Sequence, residues 1–207
     1  MLFRHPEINQ ETATMTQTRQ LARARGFTLI ELLIVVIILA VLAAIVVPQF
    51  ANTTIDAKEA TLDANLSAMR SAIEQYKVQH GAYPSTTAAT AGTACATPAV
   101  KGTGAINTPQ AFIDQMTMAT DKNGNACSAA DPVTYKFGPY LRGKVPNEPI
   151  NDKGSAIADI AVATTGTPVA LATTVVTGGW LFDNKSGQFV MNSGVMDSKG
   201  TVPYFQH

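Results

Sequence analysis

A single carboxylate, Glu31, lies five residues into a strongly apolar run, residues 27–47. Ionisable groups inside such a run are costly and usually serve a function. Just before the run, Gly26 separates Arg25 from Phe27. Cleavage after Gly26 would create a new ammonium group on Phe27, about one helical turn from Glu31. Because opposite charges attract strongly in a dry setting, this spacing predicts an ion pair generated by proteolysis.

The other chemistry-bearing residues argue against an enzyme or a metal module. The three histidines are at positions 5, 80 and 207. Their placement disfavours a zinc site built on several histidines and a nucleophile–His–acid triad. The 207 residues carry 15 basic and 15 acidic side chains, which give no general attraction for nucleic acid. We therefore expect no enzymatic activity, no cofactor and no nucleic-acid partner.

The apolar run is long enough to cross a membrane as a helix. Its twenty-one residues would rise about 31 Å, which matches a hydrocarbon core. Arginines precede the run and a mainly acidic mixture follows it, which predicts a cytoplasmic N-terminus and an exported remainder. A secretory signal usually has a shorter apolar core and an A-x-A-like cleavage site. On hydropathy alone, a simple membrane anchor is the alternative.

Residues 25–50, RGFTLIELLIVVIILAVLAAIVVPQF, resemble the prepilin signal of type IV pilins and type II secretion pseudopilins. The resemblance implies cleavage between Gly26 and Phe27 by a prepilin peptidase, which also N-methylates Phe27. It further implies that Glu31 neutralises the terminal amine of a neighbouring subunit during filament assembly. Pro48 matches the proline that the family carries at the far end of the run.

The resemblance divides the sequence into a leader and two mature segments. Residues 1–26 would be the cleaved leader, and residues 27–50 the helix half that lies first in the membrane and then in the filament core. Residues 51–207 would form a periplasmic or extracellular head. Within the head we expect an amphipathic helix, a loop and a β-sheet region, at 51–80, 81–135 and 136–207.

The leader contains a second methionine at which translation could start. From Met15 it would read MTQTRQLARARG, twelve residues with three arginines and no acid. From Met1 it would also include Glu7 and Glu11. Because a basic leader suits the expected orientation, we predict that Met15 is the true start. A precursor peptide covering residues 1–14 would contradict this.

Beyond Pro48, apolar residues recur at helical spacing. Steps of seven, four, three, four and three residues connect the members of this stripe, which are Ile55, Leu62, Leu66, Met69, Ile73 and Tyr76. The period predicts one helix over residues 27–80 that stops at Gly81. Its second half is amphipathic, so the stripe requires an apolar partner in the same molecule.

The partner is predicted to be a small antiparallel sheet. A hairpin pattern joins residues 179–182 to 188–191. Its apolar residues are candidates to meet the stripe: Trp180, Phe182, Phe189 and Met191. Two β-leaning runs precede it, at 157–165 and 169–177, and residues 111–120 are typical of a short helix. The expected class is α+β, the pilin fold: a long N-terminal helix with a protruding apolar half, packed on a small antiparallel β-sheet head.

Cys95 and Cys127 are the only cysteines, and both lie on the predicted outer side of the membrane, where disulfides persist. A bridge would pin a loop rich in Ala, Thr, Gly and Pro to the segment after the short helix. It would stabilise the head by about 3–4 kcal/mol through its loop length. We expect this intramolecular bridge; two free or intermolecular thiols are the alternative.

Four oxygen-bearing side chains late in the sequence could in principle bind calcium: Asp183, Asn184, Ser193 and Asp197. Some pseudopilins, which the chain resembles, bind calcium in their C-terminal loops. The spacing here is loose, and ordinary turn chemistry explains the same residue types. We therefore predict no metal site.

The sequence predicts a structural subunit of a type IV pilus-like filament, serving adhesion, motility or DNA uptake. The alternative is a pseudopilin of a type II secretion system. A DNA-binding minor pilin of a competence system is disfavoured, since residues 27–207 carry eleven basic and thirteen acidic side chains. Expected partners are further copies of the chain, the prepilin peptidase, the membrane before assembly and an inner-membrane assembly platform. The precursor would lie in the inner membrane with its N-terminus inside, and the product in an extracellular pilus or periplasmic pseudopilus.

Overall fold

The computed structural model describes residues 26–90, 95, 98–166 and 178–207 of the chain. Its contacts separate two compact units, Met1–Val46 and Val47–His207. Three sequence-based expectations fall outside the described residues: the leader up to residue 25, the Met15 start and the β-leaning run at 169–177.

The long predicted helix is present as α1, Leu29–His80, and it contains Pro48. Proline removes one backbone donor, but the helix continues through it. The helix ends at His80. The next residue, Gly81, has a φ of 76°, which glycine readily adopts, and its N–H donates to the Lys77 carbonyl at 2.7 Å. This left-handed residue just past the helix is a common C-cap. The prediction of one long helix is confirmed.

In the first unit, α1 is apolar and uncovered. All side chains from residue 29 to 46 are exposed within the isolated chain. An 18-residue window of the helix has a mean hydropathy of 3.4, so α1 is long and apolar enough to cross a membrane. A helix that is hydrophobic all round belongs in a membrane or in the interior of a larger structure.

In the second unit, the apolar stripe of α1 lies at the centre of the core. Five of its members are at most 1% exposed: Leu62, Leu66, Met69, Ile73 and Tyr76. Ile55 is 41% exposed, so the predicted stripe is wrong at its first position. The buried cluster that covers α1 begins only at Leu62, seven residues later.

The short predicted helix is α2, Pro109–Thr117. The hydroxyl of Thr108 accepts a hydrogen bond from Ala111 N–H at 3.2 Å. Such a cap satisfies a backbone donor that the first turn leaves unpaired, and so fixes where the helix begins. Phe112 and Met116 are fully buried against α1 and the sheet.

Two short strands follow α2 and pair antiparallel: β1, Ala119–Thr120, and β2, Ala126–Cys127. In the turn between them, Gly124 N–H donates to the Asp121 carbonyl at 3.1 Å. Because residues 119 and 120 are extended, α2 ends before residue 120, the predicted limit. The expected loop region 81–135 therefore contains a helix and a two-stranded sheet.

A three-stranded sheet consists of β3, Ile160–Ala163, β4, Trp180–Asp183, and β5, Phe189–Met191, in that order. The predicted hairpin is confirmed, since β4 and β5 pair antiparallel with Phe182 opposite Phe189. Four side chains from this hairpin are fully buried with the α1 stripe: Trp180, Phe182, Phe189 and Met191. Because burying one large apolar side chain stabilises by about 1.5–3 kcal/mol, this contact holds the head on the helix.

The pairing of β3 differs from the expected antiparallel sheet. β3 runs parallel to β4, with Ile160 opposite Trp180, so the sheet is mixed. Residues 164–179 separate the two strands, which is long enough for the crossover that a parallel pair requires. Two short 3-10 helices, Ile157–Asp159 and Tyr204–Gln206, flank the sheet in sequence. The fold class is α+β, a long helix with small sheets.

Candidate processing and assembly site

The predicted cleavage point is open to approach. A Cβ built on Gly26 would meet no atom within 4 Å, and the Phe27 side chain is 81% exposed. α1 begins at Leu29, two residues beyond the bond in question. Among the described residues, nothing covers the peptide bond between residues 26 and 27, so a protease could reach it without unfolding the helix.

Glu31 is held by Thr28 in the first turn of α1. Its Oε2 atom accepts hydrogen bonds from Thr28 N–H at 2.8 Å and from Thr28 Oγ1 at 2.9 Å. In return, Glu31 N–H donates to Thr28 Oγ1 at 3.2 Å. This reciprocal arrangement is a capping box. It keeps the carboxylate at the N-terminal end of the helix, where the helix dipole favours negative charge.

Thr28 is a site residue that the sequence-based prediction lacks. Its signal is nevertheless present, because a threonine three residues before a glutamate is the capping-box pattern. The hydrogen bonds between Thr28 and Glu31 place the Glu31 carboxylate beside the backbone N–H of Thr28, the residue after Phe27. Cleavage after Gly26 would therefore create an ammonium group one residue away from a donor that Glu31 already uses.

Pro48, the other predicted assembly residue, lies inside α1 close to the boundary between the two units at Val46. The side chains described just beyond it, from residue 53 to 58, are exposed. No residue in the described part of the second unit covers this stretch of helix. Pro48 is exposed and packs against none of the described residues of the second unit, and its role in assembly stays a prediction.

Asp183, a calcium candidate, accepts hydrogen bonds at both carboxylate oxygens, from its own turn and from residues 165 and 166. One carboxylate oxygen accepts from Lys185 N–H at 2.8 Å and Ser186 N–H at 3.2 Å. The other accepts from Thr165 Oγ1 and Gly166 N–H, both at 2.8 Å. Burial raises the pKa of Asp183, but the hydrogen bonds to its charged form outweigh burial and leave the pKa below its usual value.

The other candidates are also engaged locally. Asp197 accepts from Thr201 N–H at 2.7 Å and Thr201 Oγ1 at 2.8 Å. The Asn184 amide donates to Asn107 Oδ1 at 2.7 Å and to the Ser85 carbonyl at 3.3 Å. Within the described ranges, no group of three or more His, Cys, Asp or Glu side chains is placed to hold a metal ion. The Asp183 and Asp197 carboxylates thus hold turns, whereas the Asn184 amide links its own turn to residues 85 and 107.

Cys95 and Cys127 form a disulfide, with Cα atoms 5.8 Å apart and a sequence separation of 32 residues. Both are buried in a small cluster with Ala119 and Tyr135. The bridge links Cys95 to β2, as expected from the sequence.

Replacing both cysteines by serine should lower the free energy of unfolding by about 3 kcal/mol. A bridge across a loop of this length removes roughly that much chain entropy from the unfolded state. In thermal unfolding of the full chain in detergent, we expect Tm to fall by about 6–12 °C. The native chain under reductant is the control, and its Tm should fall to that of the double variant. Equal Tm values with and without the bridge would contradict its stabilising role.

His80, the last residue of α1, lies in an aromatic cluster. Its ring stacks on Tyr76 with centroids 4.1 Å apart and meets Phe137 edge-on at 5.1 Å. Its Nε2 atom lies 3.0 Å from the Tyr140 hydroxyl and 3.1 Å from Thr120 Oγ1. His80 therefore joins the end of α1 to β1 and to the segment around residue 140.

Protonation of His80 should weaken this junction. Burial lowers the pKa of His80 below its ordinary value of about 6.5, only partly opposed by the Lys122 carbonyl and the Asp121 charge. The unfolded chain therefore takes up the proton first as pH falls through about 6.5, so stability should drop from there down to the lowered pKa. One proton contributes at most about 1.4 kcal/mol per pH unit.

The measurement is the free energy of unfolding between about pH 7.5 and pH 5 for the native chain and for His80→Gln. The glutamine variant keeps a hydrogen-bonding side chain but does not titrate in this range. Its stability should fall less on acidification than that of the native chain. Parallel curves for the two proteins would contradict the contribution of His80.

Comparison with known proteins agrees with the geometry of the α1 start. Residues 21–47 match the family described as the prokaryotic N-terminal methylation motif. The type II secretion system core protein G of Pseudomonas aeruginosa is 46% identical over 61 residues, 30% of this chain and 43% of that protein. The type IV narrow pilus major component PilA5 of Thermus thermophilus is 48% identical over 62 residues, 30% and 53% of the two chains.

The core protein G of Escherichia coli is 34% identical over 64 residues, 31% of this chain and 44% of that protein. The chain thus spans about half the length of the curated relatives it matches. No solved structure matches the chain.

The fold and the site define a class: chains with an uncovered apolar N-terminal helix, a prepilin-type junction before it and a small α+β head. The chain carries the prokaryotic N-terminal methylation motif at residues 21–47 and is similar to a type IV pilus component over 62 residues and to a type II secretion core protein over 61 residues. The relatives above are named as components of a pilus or a secretion system, which is a structural role.

Proposed function

We propose that the chain is the structural subunit of a type IV pilus-like filament. A prepilin peptidase cleaves it after Gly26 and N-methylates Phe27. The mature chain then polymerises with further copies of itself through α1. The filament would serve adhesion, motility or DNA uptake.

The observation that supports this proposal most is a carboxylate, Glu31, at the start of an uncovered apolar helix. Thr28 supplies two hydrogen bonds to Glu31 but no positive charge. Among packed apolar helices, an ion left without its partner costs about 3–5 kcal/mol. The Phe27 ammonium of a neighbouring copy supplies the missing charge, and this pairing sets the register between subunits.

Burial of the apolar half of α1 drives filament assembly once the subunits leave the bilayer. Its side chains from residue 29 to 46 are exposed in the isolated chain. Burying a Leu, Ile or Val side chain stabilises by about 1.5–3 kcal/mol relative to water. A bundle of such helices therefore replaces the lipid that covers them in the precursor.

A second face of α1 suits close packing between subunits. Opposite the buried stripe, the helix exposes small side chains at helical spacing: Ala57, Ala60, Ala64, Ser67, Ala68 and Ser71. Small side chains allow two helices to approach closely. This face extends the expected helix contact from the apolar half into the second unit.

Before assembly, the precursor lies in the inner membrane. We place residues 1–26 in the cytoplasm and residues 51–207 on the outer side, in accordance with the basic residues that precede the span. Both members of the disulfide, Cys95 and Cys127, then lie in an oxidising compartment. An assembly platform in the inner membrane would extract the mature chain into the filament.

A pseudopilin of a type II secretion system is the second candidate. The 46% identity to the core protein G of Pseudomonas aeruginosa over 61 residues favours it as much as the PilA5 match favours a pilus. Each match covers about 30% of this chain, and neither distinguishes the two kinds of filament. Features of the second unit are therefore needed to distinguish a pilus subunit from a pseudopilin.

Immunogold electron microscopy of cells that produce the chain tests the proposal. Label along surface fibres is expected for a pilus, whereas label confined to the periplasm is expected for a pseudopilus. A chain that stays in the inner membrane as monomers, with the assembly machinery present, would contradict both.

A further inference from the structure

One asparagine of the chain is followed by a glycine, and this pair lies in the turn between β1 and β2. Asn123 and Gly124 form the only Asn-Gly step in the sequence. Asn123 is exposed, whereas Gly124 is buried beneath it. The glycine matters chemically, because it has no Cβ that could hinder the approach of the asparagine side chain to its main-chain nitrogen.

The side chain of Asn123 is free to react. Within the described ranges, its amide group makes no hydrogen bond, and only its main-chain N–H is engaged, by Asp121 Oδ1 at 2.8 Å. Asn125, two residues later in the same turn, differs because its amide donates to Asp121 Oδ2 at 2.7 Å. The side-chain carbonyl carbon of Asn123 can therefore rotate toward the main chain, while that of Asn125 is held by its hydrogen bond.

The main-chain nitrogen of Gly124 is held only within the turn. Its N–H donates to the Asp121 carbonyl at 3.1 Å. A local fluctuation of the turn is enough to open this bond, and surface turns open at low free energy. By contrast, the N–H of Ala126, the residue after Asn125, donates to the Ala89 carbonyl at 2.9 Å. Freeing that nitrogen requires β2 to separate from another segment of the head.

The other asparagines described in the head lack this combination. Five have amide groups in hydrogen bonds: Asn65, Asn107, Asn125, Asn147 and Asn184. Asn151 and Asn192 are followed by Asp152 and Ser193, whose side chains hinder approach to the next nitrogen. Reactivity toward the main chain is therefore concentrated at Asn123.

We propose that Asn123 is a site of spontaneous deamidation, at which the chain acquires an isoaspartate. The Gly124 nitrogen attacks the side-chain carbonyl carbon of Asn123 and closes a five-membered succinimide ring. The side-chain NH2 group takes the proton of the Gly124 nitrogen and leaves as ammonia. One water molecule then opens the ring. Cleavage of one C–N bond restores the main chain with an aspartate, and cleavage of the other leaves the main chain running through the former side chain, as isoaspartate.

An isoaspartate at this position disturbs the core because of what Gly124 contacts. The Gly124 carbonyl accepts from Gln115 Nε2 at 2.9 Å, and Gln115 is fully buried. Gln115 Oε1 in turn accepts from Ser85 N–H at 2.6 Å. The packing is close, since a Cβ at Gly124 would come within 2.7 Å of the Tyr76 hydroxyl. Isoaspartate adds one atom to the main chain directly before Gly124, so these contacts cannot all be kept.

Mass analysis of the purified full chain, aged in detergent in neutral buffer at physiological temperature, tests the proposal. The peptide that contains Asn123 should gain about 1 Da as its amide becomes an acid, and fragmentation should place the gain on Asn123, not on Asn125. The methyltransferase that recognises isoaspartate should label the aged chain but not the fresh chain. Asn123→Gln is the matched control. Its longer side chain would need a larger ring, so it should gain neither mass nor label.

Thermal unfolding tests the effect on the core. Loss of one buried hydrogen bond at Gly124 should lower the Tm of the fully aged chain by about 2–4 °C. Asn123→Asp carries the new charge on a normal main chain and should unfold close to the native temperature. An unmodified Asn123 in the aged chain, or faster modification of Asn125, overturns the proposal. A native Tm despite complete labelling contradicts the coupling through Gln115.

Discussion

Glu31→Ala chains are expected to be cleaved and methylated normally, yet to yield at least tenfold less filament than the native chain. The cleavage point lies outside the helix and is open at Gly26, so the peptidase should not require the carboxylate. In the filament, however, the variant leaves a Phe27 ammonium unpaired among apolar helices. Such a loss costs about 3–5 kcal/mol, which is a factor of more than a hundred in an equilibrium.

The control for this experiment is Thr28→Ser. Serine keeps the hydroxyl that bonds Glu31 Oε2 at 2.9 Å, so assembly should be close to native. Glu31→Gln is the sharper variant, because it retains a hydrogen-bonding group of the same size but no charge. It should fail nearly as badly as alanine. Native filament yield from Glu31→Gln would show that charge plays no part and would remove Glu31 from its proposed role.

A bulky residue at position 26 should block processing almost completely. We expect Gly26→Leu to leave more than nine-tenths of the chain as precursor, whereas Gly26→Ser should be cleaved at close to the native rate. A Cβ at Gly26 would meet nothing within 4 Å of the chain itself. The variant should therefore fold normally, and any loss reports on the narrow site of the peptidase.

Electrophoresis of the membrane fraction, with mass analysis of both bands, measures this effect. The uncleaved Gly26→Leu precursor should remain in the membrane and form no filaments, since it lacks the Phe27 ammonium. Efficient cleavage of the leucine variant at the same bond would contradict a peptidase that requires a small residue there. Filaments built from uncleaved chains would contradict the role of the new amine.

Much of the fold could be predicted because its signals are local. The period of the α1 stripe and the glycine at residue 81 define the helix, and the pattern around residues 180–191 defines the hairpin. Local sequence does not determine which residues of α1 the head covers. Ile55 therefore fits the helical period of the apolar stripe and is still exposed. The parallel pairing of β3 depends on how the chain crosses between strands, which strand propensity does not encode.

The residues of the candidate site likewise fall into those that could be identified from the sequence and those that could not. Gly26, Phe27 and Glu31 could be identified because their types and spacing are unusual in an apolar run. Thr28 carries an equally local signal, but a threonine is unremarkable there until its hydroxyl is seen to bond Glu31. A cavity beside Arg70 could not be predicted, because only the folded head brings its lining residues together.

We propose that proteolysis creates a cation on Phe27 that pairs with Glu31. The most direct test is N-terminal sequencing with mass analysis of the chain recovered from filaments or from the membrane. We expect a mature chain that begins with N-methylated phenylalanine at residue 27. A chain that begins at any other residue, or retains residues before 27, would contradict it.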